Sequence, residues 1–158
     1  MVIWMEYWQA TTSEHVLYLE PLARAALMES TTSKVSFCTD KFQKIANDIE
    51  AAPSMFGMLI ASNKNAPVGF AYCTAGEHFI GTGARFASVQ GIFVETRIRR
   101  SLLGGRIANS LINGAQHWAK LRLCQSLTAH ITSAVSTRTT DRLLFRRRGQ
   151  YVGGNFVF

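Results

Sequence analysis

Residues 91–120 read G-I-F-V-E-T-R-I-R-R-S-L-L-G-G-R-I-A-N-S-L-I-N-G-A-Q-H-W-A-K, and this stretch decides the fold. It opens apolar and β-branched at Ile92, Phe93 and Val94, which predicts a strand. Its middle is basic, with Arg97, Arg99 and Arg100, and closes on Ser101 and the pair Gly104 and Gly105, which predicts a turn. Beyond it Ile107, Ala108, Leu111, Ile112, Ala115, Trp118 and Ala119 recur at helical spacing, with Arg106, Asn109, Ser110, Asn113, Gln116 and Lys120 on the other side. That period predicts a helix with one buried stripe. A helix that opens after a basic, glycine-containing turn aims unpaired N–H groups and its positive dipole end at whatever lies before it, an arrangement suited to phosphate. The competing reading is a turn whose glycines supply only unusual backbone angles.

Working outward, residues 2–9 alternate and are rich in aromatics, predicting a first strand. Thr12 or Ser13 then opens a helix running to about Ser30, which Pro21 splits or kinks. Residues 40–52 give a second helix with Phe42, Ile45, Ala46 and Ile49 on one side. Residues 55–61, 68–74 and 86–94 read as an antiparallel meander, with residues 62–67 as a turn-rich link. Gly91 inside the third of these strands predicts a bulge, with close packing as the alternative. After the Trp118 helix come a strand over residues 123–133, a short arginine-rich helix over 142–148 ended by Gly149, and a closing strand over 151–158. A helix between two strands requires a crossover, so strands 86–94 and 123–133 are expected to be parallel neighbours. The fold class is α/β with a mixed sheet.

The 158 residues are 47% hydrophobic and 17% charged, which suits one folded domain over residues 1–158. A net charge of +7 favours an anionic ligand, nucleic acid or an acidic surface, against the plainer reading of a basic surface that aids solubility. Cys38, Cys73 and Cys124 are odd in number and far apart, so neither a disulfide framework nor a metal site is expected; Cys73 and Cys124 read as buried small hydrophobes. No basic leader followed by a long apolar run stands at the start, and no apolar run approaches about 18 residues, so a cytoplasmic protein with no membrane span is expected.

Val94, the run Arg99-Arg100-Ser101-Leu102-Leu103-Gly104 and the following Gly105-Arg106-Ile107 resemble the central motif of the GNAT N-acetyltransferases, in which a strand ending in Val leads through an Arg/Gln-x-x-Gly-x-Gly/Ala loop into a helix. Leu102 stands where the family usually has its first glycine; a shifted register over residues 103–108 keeps the glycines and loses the leading Arg. The element order matches the family along nearly the whole chain. The resemblance implies the GNAT acyl-CoA N-acyltransferase fold, with a central mixed sheet of six to seven strands flanked by about four helices. Glu77-x-Phe79-x-Gly81, Trp118-Ala119 and residues 148–156 look like a short type of the family common in phage genomes.

The resemblance further implies an enzyme that uses acetyl-CoA to acetylate a primary amine by direct attack, the acceptor being a small molecule, a protein or aminoacyl-tRNA. Ile92, Phe93 and Val94 would pair with the pantetheine arm, and the N–H of Phe93 or Val94 would polarise the thioester carbonyl. Arg99, Arg100, Ser101, Leu102, Leu103, Gly104, Gly105 and Arg106 would hold the pyrophosphate. Apart from the resemblance, Arg138, Arg142 and Arg146 are spaced i, i+4, i+8 and share a helix face, which would meet the adenosine phosphates or an RNA backbone, the plainer reading being a solvated face. The family often has a proton-donating Tyr four residues before the glycine of its last helix, where this chain has Phe145. The replacement donors are Tyr151, Ser133 and Ser136, and the candidate bases are Glu77, His78, Glu29 and His130, with Glu77 and Tyr151 preferred. Phe145 and Leu102 together leave open a catalytically weak, virion-associated protein that binds acyl-CoA or a partner. A basic RNA-binding module lacks the interleaved aromatics that stack bases. The final strand, residues 151–158, would allow pairing into a homodimer.

Overall fold

The computed structural model describes residues 5–30, 35–78 and 80–129. The elements in order are β1 (Met5–Gln9), α1 (Ser13–Leu17), α2 (Glu20–Met28), α3 (Thr39–Ala51), β2 (Phe56–Asn63), β3 (Ala66–Glu77), β4 (Arg85–Val94), α4 (Thr96–Arg99), α5 (Leu102–Leu121) and β5 (Cys124–Ala129). The five described strands form one sheet in the order β1-β2-β3-β4-β5. Neighbours are antiparallel except β4 and β5, which pair in parallel as expected for strands joined by a helical crossover. The strand expected over residues 151–158 and the helix over 142–148 lie outside the described residues.

Pro21 does split the first predicted helix. It sits in the first turn of α2, where an N–H would have no intrahelical partner anyway. Thr12 caps α1 by accepting a hydrogen bond from the His15 N–H at 3.4 Å. The link between β2 and β3 is tighter than the residues suggested. Lys64 and Asn65 both take left-handed angles, φ 48° and 63°, giving the two-residue hairpin turn whose twist matches its strands.

Strand alternation sends side chains to two faces. Leu59, Ala71, Cys73 and Val89 meet Ile107, Leu111, Ala115 and Trp118 of α5, while Met58, Ile60, Phe70 and Phe93 meet Val16, Leu19, Phe42 and Ile49 of the other helices. Burial pushes the Cys73 thiol up to about 12, partly offset by the charge of Arg122. Cys124, expected to be buried, is only partly so, at the start of β5, the outermost described strand.

Two positions set the fit of α5. A Cβ on Gly57 would stand 2.3 Å from Trp118 Nε1, so β2 accepts the indole only because Gly57 has no side chain. At the other end Leu123 takes φ 56° just past the Arg122 C-cap, a left-handed position normally given to glycine. Gly57→Ala is expected to cost about 1–3 kcal/mol in urea unfolding, and the added Trp118→Phe to cost less in that background than alone. Leu123→Gly should instead gain about 0.5–1 kcal/mol by relieving the left-handed angle.

Candidate active site

The site lies where β4 ends and α5 begins. Between Tyr72↔Gly91 and Cys73↔Val89 the register of β3 and β4 shifts, leaving Gln90 as the extra residue. The bulge is thus one residue from its expected place, and close packing does not explain Gly91, since a Cβ there would meet nothing within 4 Å. Gln90 donates from Nε2 to Thr74 Oγ1 at 2.9 Å. Ser88, opposite Thr74 in the register, has its Oγ buried with no hydrogen-bond partner among the described residues. On its other side β4 pairs with β5 from Arg85 to Val89. Beyond the bulge no described strand covers that edge.

Strand register decides which backbone groups face the edge. The Glu95 N–H donates to Val68 O at 2.8 Å, so the directly bonded partners on this stretch are Glu95, Phe93 and Gly91. The amides of Ile92 and Val94 therefore point away from β3, into the open edge. Phe93 does not share that role: its amide turns toward β3, and its buried ring packs on Phe70 with centroids 6.0 Å apart.

The predicted turn of residues 97–105 is instead a short helix and a sharp elbow. After α4, Ser101 caps α5, its Oγ accepting from the Gly104 N–H at 3.2 Å and donating to Ile98 O at 2.6 Å. Gly105 N–H bonds Ser101 O at 3.2 Å. The N–H groups of Leu102 and Leu103 find no acceptor among the described residues, at the positive end of a 20-residue helix. Gly104 and Gly105 are helical residues rather than turn residues. Gly104 is needed for close approach: a Cβ there would lie 2.3 Å from Ile98 O. Leu102 needs no glycine-type angle, since it is the first helical residue, and its side chain is 89% exposed.

Arg99 and Arg100, equivalent by residue type, differ in surroundings. Arg99 donates to Val94 O from Nε at 3.1 Å and Nη2 at 2.8 Å, and from Nη1 to Glu29 Oε2 at 2.6 Å, with its guanidinium 5.0 Å from the centre of the Phe93 ring. Arg100 is exposed, and its side chain makes no hydrogen bond or ion pair among the described residues. Both line an open cavity of about 350 Å³ together with Glu29 and Thr96. Arg106 is exposed on the first turns of α5, and Arg97 reaches only to Glu95 at 3.9 Å.

Glu29, a candidate base, is a strut here. It follows α2 and accepts from Arg99 and from the Thr96 hydroxyl. Burial works to raise its pKa, but the Thr96 hydrogen bond and the Arg99 hydrogen bond and charge outweigh it and hold the carboxyl below its ordinary value. His78 Nδ1 accepts from the Ile80 and Gly81 N–H groups at 3.4 and 3.1 Å, shaping its own loop. Glu77 ends β3 opposite Arg85. At the strand rise per residue that puts it about 17 Å from the bulge. His130, Ser133, Ser136, Arg138, Phe145 and Tyr151 lie outside the described residues. Among the described residues no cluster of three metal-ligating side chains occurs, and no helix is long and apolar enough to cross a membrane. Thr96 went unnoticed in the sequence, where a lone Thr in a basic stretch carries no signal.

Glu29 ionises more readily in the folded chain than in the unfolded one, so its contribution is complete above the unfolded carboxylate pKa and is lost as pH falls through the lower, folded value. Glu29→Gln is expected to cost about 1 kcal/mol at pH 7, the scale of a charged hydrogen bond reduced by partial exposure. Urea unfolding at stepped pH should show that gap closing below about pH 4.

No protein-family model and no curated protein matches the sequence. Solved structures do. The aminoglycoside N-acetyltransferase AAC(6')-Iy in complex with CoA superposes with a TM-score of 0.73 at 14% identity, covering 100% of this chain and 95% of its own. The ribosomal-protein-alanine N-acetyltransferase of Brucella melitensis biovar Abortus 2308 gives a TM-score of 0.65 at 17% identity over 98% of each chain. A possible acetyltransferase from Clostridium difficile 630 gives 0.70 at 11% identity over 98% of this chain and 96% of its own. A likeness that runs over whole chains, together with the parallel β4–β5 pair and its α5 crossover, shows that this chain has the GNAT acyltransferase fold.

Proposed function

We propose that this single-domain chain is an acetyl-CoA-dependent N-acetyltransferase that acylates a primary amine by direct attack. The observation that carries the reading is the pair of N–H groups on Leu102 and Leu103 left without an acceptor among the described residues, set beside the Arg100 guanidinium, likewise unpaired there, at the end of a strand whose Ile92 and Val94 amides face an edge that no described strand covers. Two free N–H groups, a helix dipole and a guanidinium suit a diphosphate. Edge amides suit an extended, amide-bearing arm, which would bond them as an added strand does.

Acetyl-CoA, when bound, supplies an acyl group already activated as a thioester. This chain's part is to hold that group and to meet the charge that grows on its carbonyl oxygen, for which the Val94 N–H is the donor facing the edge. The Val94 carbonyl bonds Arg99 in this structure, which leaves the N–H as the group of this residue facing the edge without a partner among the described residues. Arg100, with the first amides of α5, carries the phosphate contact. Arg106 adds charge from the exposed side of the same helix, Gly104 contributes the shape of the elbow, and Gly105, where a Cβ would meet nothing within 4 Å, leaves room beside the helix start.

On the acceptor side, the polar residues nearest the bulge are Gln90, Thr74 and Ser88; the Ser88 hydroxyl is buried, so the exposed Gln90 side chain, whose carbonyl oxygen can accept, is the group that suits an incoming amine. Glu77 is too far along the strand for direct contact with a group at the bulge, or for contact through one bridging water, and we assign it proton removal through a chain of several waters. We keep Tyr151 as the proton donor that replaces the family's Tyr, lost at Phe145, and Arg138 as a phosphate contact read from its spacing with Arg142 and Arg146. The acceptors worth trying first follow from the neighbours: aminoglycosides, and a peptide with an N-terminal alanine.

Calorimetric titration with acetyl-CoA and CoA, followed by a thiol-release assay on those acceptors and on simple amines, tests the reading. Micromolar binding with thiol release is expected. Arg100→Ala should weaken CoA about tenfold or more, as loss of one charge-assisted contact does, without changing the unfolding midpoint. Binding with no release on any amine would leave a CoA-binding protein, and no binding would leave only the fold.

A further inference from the structure

We propose that Glu29 and Arg99 form a latch, holding the end of α2 against the β4–α5 elbow until a coenzyme diphosphate draws Arg99 away. The proposal rests on the cofactor reading above and goes beyond it in making Glu29 a positioning residue that couples the cofactor cleft to the helices over the sheet's other face.

Arg99 has two clients inside the chain, Val94 O and the Glu29 carboxylate, and it lines the same cavity as Arg100. An anion seated on Arg100 and on the Leu102 and Leu103 amides therefore lies beside a guanidinium whose charge is met by one carboxylate. The planar fork of Arg suits carboxylate and phosphate alike, and a diphosphate brings more charge to it than Glu29 does. The exchange has two consequences. Val94 O comes free on the strand edge where an amide-bearing arm would lie. Glu29 also loses its cation and keeps only the Thr96 hydroxyl, so the C-terminal end of α2 loses its ionic tie to the elbow. Helix α2 belongs to the group that covers the sheet face carrying Phe70 and Phe93, so loosening it opens the approach to the bulge after the cofactor has bound. Linkage makes the effect reciprocal: whatever weakens the tie tightens the cofactor.

The test is titration of the full chain with CoA in wild type, Glu29→Gln and Thr96→Val, with amide hydrogen exchange of residues 20–28 followed with and without CoA. CoA is expected to bind Glu29→Gln about fivefold or more tightly than wild type. Thr96→Val, which removes only a hydroxyl and serves if the first variant folds poorly, should shift affinity the same way by less. Exchange in α2 should rise on adding CoA to wild type, and in Glu29→Gln should be high already and unresponsive. A purely structural Glu29 would raise exchange without tightening CoA, and that result overturns the latch. So does unchanged or weaker CoA binding in both variants, which leaves the cofactor reading standing if wild type binds. A wild type that binds no CoA overturns both.

Discussion

Parallel pairing of β4 and β5 is the constraint on which the rest depends. Two parallel neighbours cannot be joined by a tight turn, so the chain must cross the sheet, and α5 is that crossing. Because the crossing helix starts where β4 stops, its unpaired N–H groups fall at the end of β4 and nowhere else. The anion-binding character of the helix start and the edge amides of β4 are thus brought together by topology before any side chain is considered.

Close contact then sharpens this arrangement at both ends of α5. At the start, α4 and α5 meet so tightly that the position above Ile98 O admits only glycine, which Gly104 supplies. Toward the other end Trp118 lies in the space that Gly57 leaves on β2, while Arg122 stacks over the indole at 4.2 Å and bonds Pro53 O and Trp118 O. The helix is therefore located along its length as well as by its apolar stripe. A shift of one turn, about 5.4 Å, would carry the Leu102 and Leu103 amides off the end of β4.

Charge at the elbow is divided between building and binding. Arg99 bonds Val94 O and Glu29, so its positive charge is already met by a partner in the chain. Arg100 stands beside it exposed and unpaired among the described residues. Adjacent residues of one type, lining one cavity, thus differ in task because the Arg99 guanidinium is bonded to the strand end and to Glu29 while that of Arg100 is not bonded among the described residues.

The periodicity of residues 107–119, the β-branched run before the arginines and the need for a crossover were all present in the sequence, because helix and strand periods and chain connectivity are local properties. The same holds for the split at Pro21 and for the presence of an irregularity near Gly91. Tertiary structure decided what local pattern cannot encode: that the bulge falls on Gln90, that the Val94 amide faces the edge and the Phe93 amide does not, and that Gly104 serves a close approach inside a helix rather than a turn. It also decided that Glu29 meets Arg99 across 70 residues of chain. Each of these depends on which strand lies alongside and in what register, and register is set by packing between segments distant in sequence.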